Sequence, residues 1–197
     1  MPESPNPLRR NEASHRAILD ASLRLCGELG YRRLTIEAIA ARAGVSKKTI
    51  YRWWPSKGAV VLEALDAAAG AVAEHPNTGD LAADMRSQLT AVIGLLTPTE
   101  TSAAVGLIAE ALHDEELAHD LRETLIRPRI EKFNERLRQA QRDGQFPADA
   151  DLDVALNLLY GPLYHRLVYH LGMPNPDELH TLVAHALRAF GPVPAKS

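Results

Sequence analysis

Apolar residues along the first third of the chain recur at helical rather than strand spacing. Ile18, Ala21, Ser22, Leu25 and Leu29 share one face, while Arg16, Asp20, Arg24 and Glu28 form a stripe of charges four residues apart. The pattern predicts a helix from about Asn11 to Leu29, supported by i,i+4 charge pairs, and Gly30 supplies its stop. Thr35 is a cap for a short second helix with Ile36, Ile39, Ala40 and Ala43 inside. Gly44 and Val45 make a tight turn, and Ser46 caps a third helix. Pro55 disfavours helical backbone at Trp54 and ends that helix. Ser56 then caps a long fourth helix, apolar at Val61, Leu65, Ala68 and Val72, that runs to His75–Pro76. Residues 1–8 are proline-rich and read as a loose tail.

The rest of the chain is punctuated in the same way. Thr97–Glu100 reads as a capping box with proline at the first helical position, and Asn175–Glu178 repeats it with an asparagine cap. Asp114, Glu115 and Glu116 open a helix where negative charge suits the dipole. That helix must kink or break at Pro128 and ends near Gly144. Another runs from about Asp151 to Leu171 across Gly161–Pro162, and the last from Pro176 to about Phe190. No alternating valine- or isoleucine-rich stretch suggests a strand. The expected fold is all-α, with about nine helices.

Within the third helix, at about 100° per residue, Lys48 and Arg52 point away from Ile50, with Thr49 and Tyr51 on the flanks. Ile50 and Trp54 face inward, onto helices one and two. A short cationic helix held at an angle by a glycine turn has helix-turn-helix geometry, which offers such residues to a major groove. Charge agrees with this placement. Residues 1–60 carry 11 Lys and Arg against 5 Asp and Glu, a net +6, whereas residues 61–197 carry 11 against 20, a net −9. A basic module on an acidic body fits contact with a polyanion by the module alone.

"LTIEAIAARAGVSKKTIYRWWPSKGAVVLEAL" resembles the DNA-binding region of TetR-type transcriptional regulators, and the likeness extends back through "ILDASLRLCGELGY" to cover about residues 12–66. The resemblance implies a homodimer with a helix-turn-helix and a helical body for ligand binding and dimerisation. By position, Thr35, Tyr51 and Lys57 are expected on phosphates and Lys47, Lys48 and Thr49 at the groove. Ser46, Arg52 and Trp53 complete the expected DNA-binding set. Trp53 and Trp54 stand where the family usually has His and Phe, Pro55 where it has a polar residue, and Cys26 where it has Phe. Cys26 therefore reads as a core residue. "GQFPADADLDVALNLLYGPLYHRLV" resembles one C-terminal subfamily of these regulators. The implied division is a tail at 1–10, a DNA-binding domain at 11–56 and a ligand-binding and dimerisation domain at 57–197, with 57–75 as the connecting helix.

In this family the last two long helices form the dimer interface. Leu163, Leu167 and Leu171, with Leu179, Leu182, Val183, Ala186, Leu187 and Phe190, supply the apolar faces for it here. The effector pocket is expected within helices five to eight, lined by Met85, Leu89, Ile93, Val105, Ile108, Leu125, Phe133, Tyr160 and Tyr164. That lining suits a mainly hydrophobic, neutral or weakly anionic molecule. The competing class is a helical small-molecule-binding or enzymatic protein whose basic helix is not used on DNA. Its strongest sign is His113, Glu116, His119 and Asp120, yet no second such group completes a two-metal bundle site. Phosphate loops, paired cysteines and nucleophile elbows are absent from the sequence. Neither catalysis nor a metal or other cofactor is expected. Apolar runs stay short of the ~18 residues of a membrane span, and the single cysteine fits a reducing compartment. The expected partners are double-stranded DNA, a small-molecule effector and a second copy, in the cytoplasm.

Overall fold

The computed structural model describes residues 7–68 and 76–191. They contain ten α-helical segments and no strand: α1 (Pro7–Leu29), α2 (Ile36–Ala43), α3 (Lys47–Tyr51), α4 (Lys57–Ala68), α5 (Leu81–Leu96), α6 (Ala103–Ala111), α7 (Glu115–Asp120), α8 (Arg127–Asp143), α9 (Leu152–Val168) and α10 (Pro176–Arg188). Segments α7 and α8 are linked by π-helical turns at Leu121–Ile126 rather than by a loop, which reconciles ten segments with about nine expected helices. The cause is Pro128. It has no N–H to donate and its ring crowds the carbonyl four residues back, so the winding loosens just before it.

Two expectations need correction. Pro7 and Leu8 already belong to α1, because proline is tolerated in a helix's first turn; residues 1–6 lie outside the described ones. Thr97–Glu100 does not cap α6. The Thr97 hydroxyl instead donates to the Ile93 carbonyl at the end of α5 (2.8 Å). Pro98–Thr101 make a turn, and Ser102 caps α6 by accepting from the Val105 N–H. The expected run of helix four through Val72 to His75 falls on 69–75, outside the described residues.

Contacts divide the chain into two compact units that do not follow its linear order. One comprises residues 1–69 and 98–125, the other 70–97 and 126–197. In the first, α2 and α4 pack on α1, and α6 packs on α4 and on the turn at Tyr31–Arg33. Its core holds Ile18, Leu25, Cys26, Tyr31, Ile39, Ile50, Trp54, Val60 and Val61. Burial pushes the Cys26 thiol up to about 11 despite the opposing charge of Lys57, so this cysteine is a core residue and not a nucleophile. Gly106 is essential to the packing, because a Cβ there would overlap the Tyr31 side chain.

The second unit gathers α5, α8, α9 and α10 around Met85, Leu89, Phe133, Leu137, Phe146, Leu159, Leu163 and Val183. A charged pair is buried inside it. Arg136 donates through Nη2 to Asp84 at 2.6 Å and through Nε at 3.0 Å, with both residues buried. Thr78 adds hydroxyl and backbone bonds to the same carboxylate, and Gln145 accepts from Arg136 while donating to the Gly79 carbonyl. Burial alone pushes the Asp84 carboxyl up, but the bonds from Thr78 and Arg136 outweigh it and hold the group below its ordinary range.

Two outcomes follow from these packings. Asp84→Asn leaves the Arg136 charge buried without a counter-ion and should cost about 3–5 kcal/mol in denaturant unfolding. Because its folded pKa is depressed, Asp84 contributes fully above the unfolded value of about 3.9, and the contribution fades as pH falls below that; the variant should lose this part of the acid dependence. Gly106→Ala should destabilise by about 1–3 kcal/mol or more through overpacking, read as a lowered melting temperature.

Candidate nucleic-acid interface

Local sequence builds this site by capping. The Thr35 hydroxyl accepts from the Ala38 N–H (3.1 Å) and starts α2. Gly44, at φ 67°, closes it, and the Val45 N–H reaches back to the Ala40 carbonyl. Only a residue at ease with left-handed backbone makes so sharp a stop. Ser46 then accepts from the Thr49 N–H (3.2 Å) to start α3. Arg42 fixes α2 to α1 through a two-bond pair with Glu28 at 2.8 and 2.7 Å, and that guanidinium is the main reason the Glu28 carboxyl is lowered.

Helix α3 is anchored from its inner side. Ile50 is 0% exposed and Trp54 3%. The Trp54 indole N–H donates to Glu63 Oε2 (2.6 Å), whose other oxygen pairs with His15 Nε2 at 2.8 Å. His15 in turn packs against both Trp53 and Trp54, with ring centroids 5.3 and 4.9 Å away. The outer side is polar and cationic. Lys48 is exposed and has no partner among the described residues, and Tyr51 is 55% exposed. Arg52 is exposed and lies over the Trp53 ring at 4.9 Å, a contact that orients the guanidinium.

The remaining expected residues are tied up in different ways. The Thr49 hydroxyl is 2.9 Å from that of Ser46, so both are occupied in the cap. Lys47 donates to Glu37 at 2.8 Å; that bond raises the lysine pKa and lowers that of the glutamate. Lys57 stands apart from α3. Its ammonium lies 3.4 Å from Glu110 of α6 and 4.5 Å above the Tyr31 ring. Sequence reasoning did not single out His15, Glu37, Glu63 or Glu110. Each is the distant partner of a residue that it did single out, and a partner nine or more positions away leaves no periodic trace. As an ensemble, α3 presents a lysine, a phenol and an arginine able to donate to base edges and phosphates.

In the second unit, Met85, Leu89 and Phe133 are core, with Ile93 and Tyr160 packed against them and Tyr160 edge-on to Phe133 at 5.6 Å. Burial raises the phenols of Tyr160 and Tyr164, opposed by a bond with Gln88 at the first and by Arg129 at the second. Val105, Ile108 and Leu125, the other expected pocket residues, belong to the first unit and are half-buried. Leu163, Leu179, Val183 and Ala186 lie in the core of the second unit at 8% exposure or less. Leu167, Leu182, Leu187 and Phe190 are half-buried and Leu171 is exposed.

Comparison with known proteins adds a sequence relation. Residues 18–64 match "Bacterial regulatory proteins, tetR family" and residues 75–186 match "Tetracyclin repressor-like, C-terminal domain". The chain is 32% identical to an uncharacterised HTH-type transcriptional regulator, YdeS, of Bacillus subtilis (strain 168), over 91% of its own length and 90% of that protein's. It is 31% identical to the DNA-binding transcriptional repressor TetR of Mycobacteroides abscessus, over 85% and 88%. Its fold matches the crystal structure of the TetR family transcription regulator SCO0332 with a TM-score of 0.76 and 34% identity, covering 91% of this chain and 99% of that one.

The cap of α3 is open to a direct check. With five residues, α3 has few bonds of its own, so Ser46→Ala should cost about 1 kcal/mol, measured by thermal unfolding with Ser46→Asp as the variant that keeps the cap.

Proposed function

Since the chain belongs to the TetR family of non-enzymatic, DNA-binding transcriptional regulators, we propose that it is a repressor that binds a palindromic operator as a dimer and is released by a small-molecule effector. The observation that carries the reading is the exposed pair Lys48 and Tyr51 on a capped helix whose opposite side, Ile50 and Trp54, is buried. Lys48 donates to base edges, with Lys47, Ser46 and Thr49 beside it. Thr35, Tyr51, Arg52, Trp53 and Lys57 serve the phosphates, Lys57 by exchanging Glu110 for DNA. The repressor of Mycobacteroides abscessus supports the direction of control. The cytoplasm, where the DNA is, is the place of action; no described helix is long and apolar enough to cross a membrane. Residues 11–56 form the DNA-binding domain of this scheme, and 57–197 its effector and dimerisation part.

A second copy packs on α9 and α10. Val154, Leu158, Gly161, His165 and Val168 are all exposed on α9 at alternating spacings of four and three, the pattern of a helix-pairing seam. Leu171, Leu182, Leu187 and Phe190 extend that surface, while Leu163, Leu179, Val183 and Ala186 support it from within. The effector is a mainly apolar molecule taken up among Met85, Leu89, Ile93, Phe133, Tyr160 and Tyr164, with the two phenols as orienting groups. It must bind the DNA-free state more tightly than the DNA-bound one, by the same factor by which DNA weakens effector binding.

The test is selection of duplexes from random DNA followed by titration. Lys48→Ala should cost about 1–3 kcal/mol on the selected sequence and relax the preference at one position. Tyr51→Phe should weaken all sequences alike. Unchanged affinity in both folded variants overturns the assignment. Leu158→Glu should yield monomers in sedimentation that no longer hold the palindrome; a variant that stays dimeric moves the interface off this seam.

A further inference from the structure

Helix α3 brings two adjacent lysines to the same outer side, but among the described residues only one of them is unpaired. Lys47 donates to Glu37 at 2.8 Å across the turn between α2 and α3, with the lysine side chain 54% and the glutamate side chain 63% exposed. Glu37 lies in the first turn of α2, one residue into the helix that Thr35 caps. The pair therefore sits on the outer surface, beside Lys48, and both members are reachable by a polyanion. Each partner holds the other in its charged form. Whether Lys47 keeps its glutamate or turns to a phosphate, the two together bring no net charge to the DNA. In the first case the ammonium is occupied. In the second, an uncompensated carboxylate is left facing the phosphates.

We propose that Glu37 limits the sequence-independent part of DNA affinity by holding Lys47 in a neutral pair, leaving base readout to Lys48. The inference rests on the DNA-binding reading above and adds a residue that family position alone did not supply. Its physical basis is counterion release. Each phosphate neutralised by a protein cation steepens the fall of log K with log salt by about 0.9 and, at roughly 0.15 M salt, is equivalent to about a five-fold change in affinity. A pair with no net charge forgoes one such contact per protomer. The device keeps the protein from lodging on arbitrary DNA, where nearly all affinity is of this electrostatic kind.

Glu37→Gln preserves the shape and helix position of the side chain and removes only its charge. The measurement is affinity as a function of salt, on both a random-sequence duplex and the duplex selected by the wild-type protein. Glu37→Gln should tighten both by about five-fold per protomer at about 0.15 M salt and steepen the salt dependence by about 0.9 per protomer. The choice among bases should not change. In the double variant Glu37→Gln with Lys47→Gln, a neutral pair again replaces a neutral pair, so the wild-type salt dependence should return. This control shows that Lys47 is the cation released. Unchanged salt dependence in Glu37→Gln overturns the proposal, as does a steepening that persists in the double variant. A shift in base preference at one position overturns it too, because Glu37 would then be reading a base. Wild-type protein with no salt-dependent affinity for either duplex overturns the DNA-binding reading itself, a result distinct from all of these.

Discussion

The first unit is organised around one contact without clearance, the backbone of α6 laid on Tyr31. A Cβ at Gly106 would fall inside the tyrosine side chain, and one at Gly58 would press on Leu117 at 3.0 Å with the Tyr31 hydroxyl at 3.4 Å. Glycine in α6 thus admits a phenol that a larger residue there would exclude, and glycine in α4 leaves room for Leu117 beside it. The Tyr31 hydroxyl is buried, and burial, followed by the hydrogen bond and charge of the Glu110 carboxylate, pushes its ionisation far up. Lys57 closes the arrangement by standing over the ring and beside Glu110. Segments far apart in sequence are thereby fused, so that α6 and α7 belong to the same body as α1 to α4. Core packing of this kind is stiff, because close-packed interiors switch between arrangements rather than stretch.

Local chemistry was legible in the sequence to nearly the last residue. Thr35, Ser46 and Asn175 cap the helices that they were expected to cap, Asp114 starts the helix that it was expected to open with Glu115 and Glu116, and Gly30, Gly44 and Gly144 adopt the positive φ that ends a helix. These signals act over four residues or fewer, so the chain states them outright. Ser102 shows the limit. Two cap-like residues, Thr97 and Ser102, stand five apart, and the choice between them was decided by where α5 released its last carbonyls. The long-range pairs were invisible. Nothing near Asp84 announces Arg136, nothing near Lys57 announces Glu110, and nothing in "SKKT" announces that one lysine is already committed to Glu37.

The same limit separates the two faces of α9. Its sequence is apolar nearly all round, so periodicity cannot say which leucines face inward. The packing of α5, α8 and α10 decides it by taking Ala155, Leu159 and Leu163 into the core and leaving Val154, Leu158 and Val168 outside. An apolar seam next to a filled core is unstable in water unless something covers it. Glycine at its centre, where a side chain meets nothing within 4 Å, permits the close approach of another helix.

The N-terminal third is basic by count, yet much of that charge is internal. Arg42 holds Glu28, Lys47 holds Glu37 and Lys57 holds Glu110. A tally of lysines and arginines therefore overstates what the surface offers a polyanion. Pairs this exposed are worth little to folding, typically 0–1 kcal/mol, so stability alone is a weak reason for so many. Their larger effect is on the field outside the protein, where each neutral pair lowers the attraction for any phosphate backbone and raises the relative weight of contacts that depend on sequence.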